Sequence, residues 1–208
     1  MPRTGLTPAQ LRTRAIEVAL ERIRAHGFEK VRLTDIAHDI GVSHAALYAH
    51  FENKEALLDA ATETWLSEMT SALESVCASK HKPLRKVERW FVAQYTLKRK
   101  RARSERAVYA AFASANVAGK PFVLAYLERR CAQLVGMLSA ADASLGSPAA
   151  QRQAAVLLAG MDGFLNPRII VDTSDQDREA ELRLVLRTLL RGLAVGGKKH
   201  LTKRKDSA

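Results

Sequence analysis

Between Thr34 and His50 the sequence leaves room for two short helices joined by one tight turn, and for little else. Ile36, Ala37 and Ile40 recur at helical spacing on one face, and the small side chain of Ala37 permits a close crossing. Gly41 can adopt the left-handed backbone that stops such a helix, whereas β-branched Val42 could not. A second short helix follows from Ser43 to about His50, with Val42 and Leu47 completing a small apolar cluster. Helices of this length bury too little surface to be stable by themselves, so the remaining walls must come from flanking helices.

Both flanking helices are legible. Thr7 as N-cap, Pro8 in the first turn and Gln10 closing a capping box start one helix, with Leu6 and Leu11 spaced as a hydrophobic staple. Its apolar stripe is Leu11, Ile16, Leu20 and Ile23, and Gly27 ends it. Thr34 is placed to cap the next helix, with Asp35 favourable at the dipole. Asn53 caps a long rod in which Leu57, Leu58, Ala61, Trp65, Met69, Ala72 and Val76 keep helical period for about six turns.

The pattern continues to the end of the chain. Pro83 opens a helix with Val87, Trp90, Phe91 and Gln94 on one side, and the run Lys98 to Arg101 leads into another containing Val108, Phe112 and Ala115. Pro121 begins a helix with stripe Leu124, Leu127, Cys131, Leu134 and Leu138. Ser147-Pro148 begins one carrying Ala154, Leu157, Leu158, Met161 and Leu165, stopped by Pro167. Thr173 and Gln176 are spaced as a capping box before the last, which holds Leu182, Val185, Leu186, Leu189, Leu190 and Leu193. Ile169-Ile170-Val171 is too short to argue for a strand. The fold class is therefore all-α, with about nine helices: an N-terminal helix-turn-helix head followed by a larger C-terminal helical domain. After Gly196-Gly197 the residues have no apolar face to bury and read as a mobile basic tail.

A net charge of +11 points to an acidic partner such as nucleic acid. The excess is not in the helix-turn-helix, because acidic and basic side chains balance over residues 1–60. It lies in Lys80–Arg106, with eleven basic residues against Glu88 and Glu105, and in the tail. The start of the chain lacks the apolar stretch of a signal peptide and no segment is apolar enough to span a bilayer, so the expected location is the cytoplasm, with no membrane partner. Cys77 and Cys131 lack metal-ligand spacing and read as buried free thiols, with a redox role as the minor alternative. No catalytic constellation, phosphate loop or metal set is evident, which argues against an enzyme, a cofactor or a bound metal. His44 and His50 fall on different faces of a helix and do not form a metal pair.

The run L-T-D-I-A-H-D-I-G-V-S-H-A-A-L-Y-A-H-F-E-N-K-E-A-L-L from Leu33 to Leu58, with Gly27-Phe28 before it, resembles the TetR family of bacterial regulators. The resemblance covers roughly the first 60 residues; the later helices agree with the family in number and length. It implies a DNA-binding domain over residues 1–53, an effector-binding and dimerisation domain over 54–195, and a basic tail over 196–208. It further implies a homodimer whose second short helices read the two half-sites of a near-palindromic operator in double-stranded DNA. Ser43, His44, Ala45 and Ala46 lie on the first turn of that helix; His44 can donate to a guanine or a phosphate, and the alanine methyls can meet thymine methyls. Tyr48, His50 and Lys54 align with family positions that contact the DNA backbone, and Thr34 adds a neutral donor.

The last two helices would then dimerise through Leu157, Leu158, Met161, Leu165, Leu182, Leu186, Leu189 and Leu193, unless these are core within one chain. The others would enclose a site for a small-molecule effector of unknown identity, for which Trp90, Gln94, Tyr109, Phe112, Asn116, Tyr126, Arg130, Gln133 and Met137 are candidates; ordinary packing is the alternative reading. The implied function is a repressor released from its operator by that effector, the alternative being a ligand-independent regulator or an activator of the same fold. The basic run Lys98 to Arg106 would add long-range attraction to DNA, or be a solvated loop.

Overall fold

The computed structural model describes residues 5–202, with side chains described as far as Leu193. Among the described residues all regular structure is helical: α1 (Pro8–His26), a single 3-10 turn (Phe28–Lys30), α2 (Leu33–Ile40), α3 (His44–Tyr48), α4 (Lys54–Ala78), α5 (Pro83–Ser104), α6 (Arg106–Val117), α7 (Pro121–Ala141), α8 (Ser147–Gly160), α9 (Asp162–Leu165), α10 (Pro167–Thr173) and α11 (Glu179–Thr202). None of these helices is long and apolar enough to cross a membrane. The chain divides into two compact units, one made of residues up to Thr70 with Arg101–Leu124, the other of Ser71–Lys100 with Ala125 onward. This division differs from the functional one expected at residue 53, because part of α4, the end of α5 and all of α6 complete the first unit.

In the first unit the local signals act as expected. The Thr7 amide donates to Gln10 Oε1 at 2.9 Å and the Gln10 amide donates to Thr7 Oγ1 at 3.3 Å, closing the capping box. Leu11, Ala15, Ile16, Ala19, Leu20 and Ile23 are buried along α1, which packs on α2 and α6. Gly41 has φ +75° and ψ +33°, and the Val42 amide reaches back to the Ala37 carbonyl at 3.0 Å, so the turn between α2 and α3 closes on the end of α2. Thr34 does not cap α2. The helix begins two residues earlier, at Leu33, Arg32 holds the cap position without a side-chain bond, and the Thr34 hydroxyl leans on Asp35 Oδ1 at 3.4 Å.

Around Trp65, fully buried on α4, Tyr109 and Phe112 of α6 pack with ring centroids 5.9 and 5.8 Å away. The indole donates to Glu105 Oε2 at 2.7 Å. Glu105, between α5 and α6, also meets Arg24 of α1 at 2.9 Å and Arg101 at 3.3 Å. A carboxylate this enclosed is retained because three donors converge on it.

The second unit departs more from expectation. Asn166 Oδ1 accepts from the Arg168 amide at 3.0 Å and Pro167 takes the first helical position, so the proline starts α10 rather than only ending the helix before it. Thr173 therefore lies in α10, its hydroxyl on the Ile169 carbonyl at 2.7 Å, and the start of α11 is met instead by Asp177, which accepts from the Glu179 amide at 3.1 Å. α11 continues through Gly196-Gly197 to Thr202, past the expected start of the tail; residues 203–208 of that tail lie outside the described residues. The stripe expected on α7 holds at Leu134 and Leu138, which are buried, but not at Leu124 and Leu127, which are exposed; Tyr126, Arg130 and Met137 are buried as well. Both cysteines are free and half-buried rather than buried.

Candidate nucleic-acid interface

α3 is short, but its start is well defined. Ser43 Oγ accepts from the Ala46 amide at 3.2 Å, and buried Leu47 pins the other side of the helix against the head. Ser43, His44, Ala45 and Tyr48 are exposed, whereas Ala46 and His50 are half-buried. The structure adds a contact that spacing alone only allows: the His44 and Tyr48 rings meet edge to face, centroids 4.6 Å apart at 89°. The pair restricts the His44 imidazole on an otherwise bare helix face. Thr34, at the start of α2, is also exposed. Lys54, half-buried in the first turn of α4, donates to the Glu29 carbonyl at 3.0 Å, which leaves it two further N–H groups.

The arginines of the head are largely committed to other tasks. Arg22 grips Asp39 through Nε at 2.7 Å and Nη2 at 2.9 Å and also meets Asp35 at 3.5 Å, clamping α1 to α2. The hydrogen bond from Arg22 holds the Asp39 carboxyl below its ordinary range. Arg14 pairs with Glu17 at 3.0 Å, Arg24 with Glu105, and Arg12 lies over the Phe51 ring at 5.4 Å. The exposed surface of α3 thus offers hydroxyl, imidazole and methyl groups, with charge at its margin in Lys54.

The run from Lys98 to Arg106 is not a solvated loop. Its residues to Ser104 are the end of α5; Lys98 is buried and donates to the Leu165 carbonyl at 2.6 Å, and Arg99 donates to the Ser174 carbonyl at 2.8 Å. Arg101 lies over Trp65 at 4.8 Å and pairs with Glu68 at 2.7 Å. Three of the charges expected to attract DNA are therefore internal struts.

The nine candidate effector residues separate. Tyr109, Phe112 and Asn116 belong to the first unit, the two rings being part of its core. Trp90, Gln94, Tyr126, Arg130, Gln133 and Met137 belong to the second. There the Trp90 indole donates to Gln133 Oε1 at 2.9 Å, and the Arg130 guanidinium lies 5.7 Å from the Trp90 ring centre and 5.3 Å from that of Tyr126. Gln133 and Met137 also line a cavity of about 240 Å³. A larger cleft of about 690 Å³ lies in the first unit, floored by Leu58, Ala111 and Ala115. Its charged rim is already paired, Lys120 with Glu55 and Asp59 and Lys54 with the Glu29 carbonyl.

The expected dimer leucines also divide. Leu157, Met161, Leu165, Leu182 and Leu186 are buried within one chain, where α8 packs on α11, so they are core; Leu158, Leu189 and Leu193 are half-buried. Val156 and Leu184, which sequence reading passed over, are 46% and 64% exposed on the same two helices.

An all-helical chain whose head carries two short helices across a left-handed glycine, with a capped and exposed second helix, is a helix-turn-helix protein. Residues 15–61 match the family model described as bacterial regulatory proteins, tetR family. The "Probable acrEF/envCD operon repressor" of Escherichia coli strain K12 is 38% identical over 66 residues, 32% of this chain and 29% of that protein. The class C tetracycline repressor protein of Escherichia coli is 43% identical over 56 residues, 27% of this chain and 26% of that one. The chain thus spans under a third of the length of the curated relatives it matches. In fold the likeness extends further: a transcriptional regulator structure from Pseudomonas aeruginosa PAO1 has a TM-score of 0.68 at 19% identity, covering 95% of this chain and 97% of that one. The Thermus thermophilus FadR structure in complex with lauroyl-CoA has a TM-score of 0.62 at 22% identity, covering 87% and 94%. The head is thus similar in sequence to the tetR family over residues 15–61, and nearly the whole length is similar in fold to solved regulator structures.

Proposed function

We propose that the protein is a sequence-specific transcriptional repressor that binds a near-palindromic operator as a homodimer and leaves it when a small-molecule effector binds. The carrying observation is the exposed face of α3, where a serine-capped helix start presents His44 braced on Tyr48 beside the methyls of Ala45 and Ala46. Ser43, Thr34, Tyr48, His50 and Lys54 supply backbone contacts, and residues 1–53 act as the DNA-binding domain. Residues 54–195 carry effector binding and dimerisation. The FadR structure from Thermus thermophilus, solved in complex with lauroyl-CoA, has a similar fold and supports the reading that a chain of this fold holds a small-molecule ligand.

The dimer surface in this reading is the outward side of α8 and α11, with Val156, Leu158, Leu184 and Leu189 at its centre, because the deeper leucines are already used. Selection of bound DNA from a random pool tests the proposal, and an enriched inverted repeat is the expected result. Enrichment of no sequence, or of an unpaired half-site by a monomer in sedimentation, refutes it. Leu184→Glu is expected to shift sedimentation toward monomer and to weaken operator binding more than half-site binding.

A further inference from the structure

The second unit holds a group of buried polar side chains that its own fold does not satisfy. Gln94 on α5 is fully buried, and neither its carboxamide oxygen nor its nitrogen has a hydrogen-bond partner. Arg130 on α7 is 8% exposed; its Nε is buried and unpaired, and its guanidinium forms no ion pair among the described residues, resting only on the Trp90 and Tyr126 rings. Lys98, one helical turn after Gln94, is buried with one acceptor, the Leu165 carbonyl. The nearest acid acting on it is Asp162, which is exposed and already accepts from Asn166 Nδ2 at 3.1 Å.

Two buried cations and an unpaired amide without a buried carboxylate are costly in an empty protein, because each group has given up water and received little in return. An anion is the complement that removes the cost. A planar guanidinium with free N–H groups, beside an ammonium and a carboxamide N–H, fits a carboxylate, with the Gln94 oxygen left to accept from a neighbouring hydroxyl or N–H of the same molecule. The apolar side of the site is also present: Arg130, Gln133 and Met137 follow one another along α7, and the last two open onto the cavity of about 240 Å³ with Pro83, Ala132 and Ala140. The larger cleft in the first unit has no such unsatisfied group and makes no comparable demand for a ligand.

We propose that Gln94, Lys98 and Arg130 form the receptor for the carboxylate of an organic acid whose apolar body lies toward Gln133 and Met137. This rests on the reading of the second unit as the effector domain and names the chemical class of the effector.

The full-length protein is titrated calorimetrically, and by thermal shift, with carboxylates from acetate to dodecanoate and from benzoate to 3-phenylpropanoate, each beside its neutral primary amide. Carboxylates with an apolar body are expected to bind and raise the melting temperature, their amides at least tenfold more weakly, and Arg130→Met to abolish the difference. If Arg130→Met does not fold, Lys98→Met carries the same test. Without ligand, Gln94→Met is expected to raise the melting temperature by roughly 2–4 °C, since it removes unpaired polar atoms while conserving volume. Binding of no carboxylate, equal binding of amides, or a lower melting temperature in Gln94→Met overturns the proposal. Operator affinity is measured in the same samples. A carboxylate that binds through Arg130 and leaves operator affinity unchanged upholds the anion site and refutes the effector reading; release of the operator by a neutral compound alone does the reverse.

Discussion

At the scale of single residues, a half-buried carboxylate and a buried ammonium both make stability rise with pH, each in its own window. Burial raises the pKa of Glu105, but hydrogen bonds from Trp65 and Arg24 and the charge of Arg101 outweigh it and hold the carboxyl below the ordinary glutamate value of 4.5. A carboxyl lowered on folding stabilises the protein above its unfolded pKa, and that stability is lost as pH falls through the folded one. Glu105→Gln is therefore expected to cost about 1–2 kcal/mol at neutral pH and to flatten the acid limb of stability, measured by urea denaturation across pH. Lys98 has the same sign in a higher pH window, for a different cause. Burial first, and then the charge of Arg130, push its ammonium well below the ordinary lysine value of 10.5, with Asp162 opposing. Below that value the unfolded chain binds the proton more readily, so the parent gains stability as pH rises from the lowered pKa toward 10.5. Lys98→Met is expected to lose this rise, at the expense of leaving the Leu165 carbonyl unpaired. A stability difference between parent and Lys98→Met that does not change with pH would show that the ammonium is neither desolvated nor shifted.

At the scale of elements, what was legible in the sequence was whatever its own neighbours decide. Thr7 with Gln10, Gly41, Ser43 and Asn53 all act within three or four residues, and each does what its chemistry proposes, Asn53 Oδ1 accepting from the Ala56 amide at 2.8 Å. The misreadings arise where a distant partner decides. Lys98 and Arg99 look like solvated charge until carbonyls at Leu165 and Ser174 receive them, and no local pattern announces such partners. Leu124 and Leu127 look like a core stripe, but α7 turns Tyr126, Arg130 and Met137 inward instead. On the α3 face proposed to meet DNA the exposed residues followed from the motif, while the bracing of His44 by Tyr48 required the fold. The turn offers a direct test. Gly41→Ala places a Cβ on a residue at φ +75° and is expected to cost about 1–2 kcal/mol. Ser43→Ala removes one cap and is expected to cost about 1 kcal/mol. Equilibrium denaturation gives both values, and a cost for Gly41→Ala below that of Ser43→Ala would show that the left-handed turn is not what stops α2.

At the scale of the whole molecule, the proposed function raises the question of how a chain of net charge +11 would approach a polyanion with so neutral a head. Much of the positive charge is spent inside the fold: Arg22 on α2, Arg24 and Arg101 on Glu105, Lys98 and Arg99 on carbonyls, and Arg183 on Glu88 at 2.7 Å. These charges cannot leave their partners for phosphates without loosening the protein, so net charge overstates the number of counterions released on binding. In a dimer that uses Lys54 once per half-site, with neutral donors for the other backbone contacts, the slope of log affinity against log salt should be only about −2 to −4. Lys54→Ala is expected to reduce its magnitude by about 2 while weakening all sequences alike, because a phosphate contact carries no base information. His44→Ala is expected to leave the slope nearly unchanged and to alter the preferred half-site, since the ring that Tyr48 holds in place is the group positioned to meet a base edge. Arg101→Gln should act through stability, with slope and preference as in the parent. Fluorescence anisotropy with selected and scrambled duplexes across a salt series separates the three outcomes. A parent slope steeper than about −8 would mean that charges assigned here to the interior reach the DNA after all.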